Sequence, residues 1–130
     1  MPDYALSTVR KEGYLHAVVT GWNSAENVRA YLAHVHRACE ESRCARVLIE
    51  EHLEGPSLRV IDVFQIIRDA SQKVWPVIKK IAYVDTHPGH FAENMQFAET
   101  VASNLGVHVK VFDAVQKAEA WIRESAEGAR

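Results

Sequence analysis

Four side chains able to bind a metal or move a proton fall near the ends of two successive predicted strands: His52, then Asp85, His87 and His90. In an open parallel sheet, ligands bind beyond the carboxyl ends of the strands, so residues from separate strands can meet there. His87 and His90 stand three apart around a helix start, and with His52 or Asp85 they carry groups suited to a transition metal or a proton relay. Glu50, Glu51 and Asp113 belong to the same rim. The spacing matches no established ligand pattern, and Asp85 and Asp113 suit loop and cap roles, so neither a metal nor a cofactor is expected.

Other chemistries fail on geometry. His34 and His36 are two apart on a predicted helix, which turns them about 200° away from each other and precludes a shared metal. Glu50 and Glu51 are neighbours in a strand, so their carboxylates leave opposite faces and cannot act as a glycosidase pair. There is no glycine-rich phosphate loop, no serine in a nucleophile elbow and no His-Glu-x-x-His helix. Binding is favoured over catalysis, with a small metal- or histidine-dependent enzyme at the strand ends as the competing reading.

The elements that would position these residues come from a chain of 130 residues, 48% hydrophobic, which suffices for one core and leaves no room for a second domain. One domain over residues 1–130 is expected, with the tail from Ser125 frayed. A formal net charge of −2 offers no general attraction to phosphate backbones, so nucleic acid is not an expected partner. The start lacks the features of a secretory signal, and no apolar run nears the roughly 20 residues that span a bilayer, so a cytoplasmic protein is expected. Cys39 and Cys44 are too few for a disulfide framework and read as reduced, packed thiols.

Tyr4–Arg10 and Tyr14–Thr20 suit two strands joined by a turn at Lys11-Glu12-Gly13. Asn23 is placed to cap a helix running to about Glu41, on which Val28, Tyr31, Leu32, Val35 and Cys39 form one face. Ala45–Glu50 reads as a buried strand, Ser57 to Gln72 as a helix after Pro56, and Val77–Asp85 as a strand. Phe91 to Leu105 reads as a third helix, Val107–Val111 as a strand and Val115 to Ile122 as a last helix capped by Asp113. The predicted order is ββαβαβαβα, an α/β fold whose mostly parallel sheet is flanked by helices.

This order, with Val47-Leu48-Ile49-Glu50-Glu51 leading into a glycine-containing loop and a helix, resembles the SpoIIAA-like (STAS-type) fold. Tyr14–Gly21, Leu53-Glu54-Gly55, Lys80–Asp85 and Glu119-Ala120-Trp121-Ile122 are similar to a small bacterial branch of that family. The resemblance implies two roles. Anti-sigma-factor antagonists of this fold are switched by phosphorylation of a serine at the start of the helix after the third strand. Ser57 lies in the corresponding region, but Gly55, Pro56, Leu58 and Arg59 around it lack the Asp-Ser-Ser/Thr-Gly motif. A phosphate there would still meet free backbone N–H groups. The branch is also distantly similar to CRAL-TRIO lipid carriers, which implies an apolar ligand held under a movable helix.

The residues themselves point to the same helix. Leu58, Val60, Ile61, Val63, Phe64, Ile66 and Ile67 spread around nearly its whole circumference at 100° per residue, more than one sheet face can bury. Leu58, Ile61, Phe64 and Ile67 are therefore the candidate binding residues. A neighbouring helix, a homodimer partner, another protein, an apolar small molecule or a membrane surface would cover them. Trp75 with Lys73, Lys79 and Lys80 suits peripheral membrane contact.

Overall fold

The extended stretches Tyr4–Lys11 and Tyr14–Trp22 fold back on each other because Gly13 accepts a positive φ of 88° in the turn. A computed structural model describes residues 4–56, 58–73, 78–85, 99–100, 103–104 and 108–124. Its elements are β1 (Tyr4–Lys11), β2 (Tyr14–Trp22), α1 (Ala25–Ser42), β3 (Arg46–Glu54), α2 (Val60–Lys73), β4 (Lys80–Asp85), β5 (Val109–Phe112) and α3 (Val115–Arg123). Residues 99–100 and 103–104 are helical. The rest of the predicted helix from Phe91 to Leu105 lies outside the described residues.

The sheet runs β1-β2-β3-β4-β5, with β1 antiparallel to β2 and every later pair parallel. The fold is therefore the expected α/β arrangement with a mostly parallel sheet. Apolar residues of the central strands pack on both faces of the sheet, where helices cover them. One face carries Leu15, Ala17, Val19, Val47, Ile49 and Leu53 against Val28, Tyr31, Val35 and Cys39 of α1 and Ile66 of α2. The other carries Tyr14, Leu48, Ala82 and Val84 against Ala118 and Ile122 of α3.

Several boundaries differ from the sequence expectation, each for a local reason. Ser24, not Asn23, caps α1: its hydroxyl accepts from Asn27 N–H at 3.1 Å. Asn23 is buried instead and donates from its amide to Pro56 O at 2.7 Å. β3 does not stop at Glu50 but runs to Glu54, since β2 stays in register with it as far as Trp22. Glu50 and Glu51 are thus interior strand residues rather than rim residues.

The helix after β3 starts at Val60, with Arg59 O accepting its first bond from Val63 N–H at 3.1 Å. α3 has no side-chain cap, and Asp113 pairs with Lys117 at 3.0 Å instead. Lys80 is no part of a surface basic cluster. It is buried, with its ammonium donating to Trp121 O at 2.7 Å and Glu124 O at 3.0 Å and lying over the Trp121 ring. It neutralises the negative end of α3, and Arg46 does the same through Ile122 O at 3.0 Å.

Candidate functional site

The turn that delivers α2 is set by Gly55. Its φ of 106° is closed to ordinary L-residues, and a Cβ there would meet the Trp22 ring at 2.9 Å. Together with the Asn23 bond to Pro56, this fixes where the chain leaves β3. The helix then lays Ile66 on the core and rests alongside α1, where Arg29 pairs with Asp69 at 2.7 Å.

The apolar excess of α2 is thereby shared out. Leu58 packs against the core, Val63 and Ile67 are half-buried, and the partly buried Phe64 ring carries the Arg68 guanidinium at 5.8 Å. Ile61 alone among the described α2 residues is a large aliphatic left open, at 51% exposure, on the outward side with Gln65 and Arg68. Four candidates read from the sequence therefore divide: Leu58 faces the core, Ile67 lies on a flank, and Ile61 with Phe64 shares the outer surface.

Beneath α1 lies a polar cluster that the sequence did not advertise as a site. Glu51 is only 3% exposed, among Val47, Ile49 and Leu53 on the core face of β3. Tyr31 of α1 donates to its Oε2 at 2.5 Å, Tyr83 of β4 donates to the same oxygen, and the two phenols are 3.0 Å apart. Burial, followed by the charge of Glu51, holds both phenols well above the usual tyrosine range. They remain neutral donors, as a carboxylate in an apolar layer requires. The cluster ties α1 to two strands.

A second cluster occupies the opposite face. Glu50 Oε1 bonds His16 Nε2 at 2.9 Å and Oε2 bonds His52 Nε2 at 2.6 Å, so one carboxylate joins two imidazoles across β2 and β3. Burial acts to raise Glu50, but the hydrogen bonds and charges of His52 and His16 outweigh it and the carboxyl sits below its ordinary value.

Of the rim set read from the sequence, the structure describes His52 and Asp85. Asp85 registers with Glu51, on the face opposite to His52. His87, His90 and Ser57 lie outside the described residues, as does Trp75. Among the described residues no group of three or more His, Cys, Asp or Glu side chains has metal-binding geometry. No helix there is long and apolar enough to cross a membrane.

The sheet is five-stranded, mostly parallel, opened by an antiparallel hairpin and flanked by helices on both faces, an arrangement that matches a SpoIIAA-like fold. The chain is similar to the crystal structure of an uncharacterised DUF3478 family protein with a SpoIIAA-like fold from Shewanella loihica PV-4. The match covers 94% of this chain and 95% of that one, with a TM-score of 0.53 and 15% sequence identity, a likeness of fold. No family model and no curated protein matches the sequence.

Proposed function

We propose that this domain works by binding rather than catalysis, with the outer face of α2 docking against a second copy of the chain. The observation that carries the reading is Ile61, open at 51% on a helix whose inner side already fills the core. A two-fold interface needs only one patch, because each copy offers it to the other. Phe64 extends that patch, and the stem of Arg68 can cover a neighbour's aliphatic side chain while its charge stays wet. The Glu51 cluster supports a scaffold reading, because Glu51 and Tyr31 are buried in the sheet–helix layer and their bond holds α1, against which α2 rests.

Sedimentation equilibrium of the wild-type protein and of Ile61→Asp tests the proposal. The expected result is concentration-dependent association that the substitution abolishes, with the far-UV circular dichroism unchanged. A wild-type chain that sediments as a monomer throughout overturns it. If that monomer also takes up an apolar dye that Ile61→Asp excludes, the same face holds a small molecule instead.

A further inference from the structure

Among the described residues β1 pairs only with β2, and Ser7, Thr8, Val9, Arg10 and Lys11 are exposed, Val9 to 56%. An uncovered edge presents a row of N–H and C=O groups that an extended chain can pair with. A cleft of about 400 Å³ runs beside this edge, between Tyr4, Leu6 and Thr8 of β1 and His34, Arg37 and Glu41 of α1.

Two bonds bracket it. The Tyr4 hydroxyl meets His34 Nδ1 at 2.6 Å, and the Arg10 guanidinium donates to Ser42 O at 2.8 Å. Between them β1 offers six residue steps, roughly 20 Å of strand.

We propose that this edge and cleft bind an acidic, extended peptide segment of a partner protein, which adds to the sheet as a strand beside β1. An added strand places every second side chain on the cleft side of the sheet, so main-chain bonds supply the grip and the cleft reads alternate residues. Charge selects the occupant. The only charges on β1 are Arg10 and Lys11, and Arg37 projects from α1 with no ion pair among the described residues, Glu41 being the acid on the same wall.

A second copy of β1 carries no acidic residue to answer Arg10 and Lys11. An acidic strand meets complementary charge. This surface is separate from the outer face of α2 and does not depend on association there.

The test is selection of a phage-displayed random decapeptide library on the intact protein, followed by amide hydrogen exchange with the enriched peptide bound. The expected peptides are acidic, alternate apolar with polar residues and lack interior proline. Binding slows exchange at alternate amides of Ser7 to Arg10, and Arg37→Glu weakens it by about tenfold or more without changing the protein's unfolding midpoint. N-methylation of alternate residues on one edge of the peptide abolishes binding, whereas methylation of the opposite edge is tolerated.

Three outcomes overturn the proposal. One is a library that yields no enriched sequence. Another is a proline-interrupted peptide of equal charge binding as tightly, which reduces the effect to bulk electrostatics. The last is concentration-dependent protection of β1 in the peptide-free protein, which assigns the edge to a second copy.

Discussion

Replacing Tyr31 by Phe removes one oxygen from the interior and leaves the ring in place. That oxygen is fully buried and donates to Glu51 at 2.5 Å, so the loss is a charge-assisted bond in a dry layer. Hydrogen bonds to charged groups contribute about 1.5–3 kcal/mol. Glu51 retains the Tyr83 hydroxyl, which keeps the expected cost near the middle of that range, about 2 kcal/mol. For a domain of this size that lowers the thermal midpoint by roughly 6–10 °C.

Urea unfolding followed by far-UV circular dichroism is the assay, and the midpoint should fall with the slope unchanged. Tyr31→Phe combined with Tyr83→Phe should cost more than the sum of the two by about 1 kcal/mol, because both phenols serve the same carboxylate oxygen. Adding Glu51→Leu to that pair should recover most of the loss, since no charge then remains to be satisfied. A Tyr31→Phe variant within about 0.5 kcal/mol of wild type, or strict additivity of the two single changes, would refute the view that this cluster holds α1 to the sheet.

Other outcomes follow from single positions. Arg43 ends α1 in the left-handed region at φ 55°, so Arg43→Gly should stabilise the protein by about 1 kcal/mol in urea unfolding. Folding holds Glu50 below the ordinary glutamate value, so the stability it contributes is present above about pH 4.3 and lost as pH falls through the lowered value. The urea midpoints of wild type and Glu50→Gln should accordingly converge as pH drops from about 5 to about 3. Burial, aided by Cys44, pushes the Cys39 thiol up to about 12, and both cysteines are free and buried. An aromatic disulfide reagent should therefore react with them only on unfolding.

The fold was legible because its signals are local and periodic. The extended-chain residues from Tyr14 to Thr20, the aliphatic run Val47-Leu48-Ile49 and the stripe Val28, Tyr31, Val35 and Cys39 all mark core faces that the structure fills. Boundaries were less legible because neighbours settle them: β3 outlasts its aliphatic run because β2 stays beside it to Trp22. The Glu51 cluster left one readable trace, a carboxylate falling on the core face between Ile49 and Leu53, which must find donors. Which donors it finds depends on Tyr31 and Tyr83 arriving from elements 20 and 32 residues away. Helical periodicity exposed the apolar surplus of α2, whereas the division that leaves Ile61 outside depends on how α1 and the sheet take the other side.

The proposal for α2 meets its most direct test in a nitroxide attached at Gln65→Cys, next to Ile61 on the outer face, with the native thiols shielded by burial. Dipolar spectroscopy should give one short distance between labels on two chains, growing in amplitude with protein concentration and vanishing when Ile61→Asp is added. Absence of any intermolecular coupling at every concentration, in a chain whose circular dichroism shows it folded, would contradict the docking of α2 on a second copy.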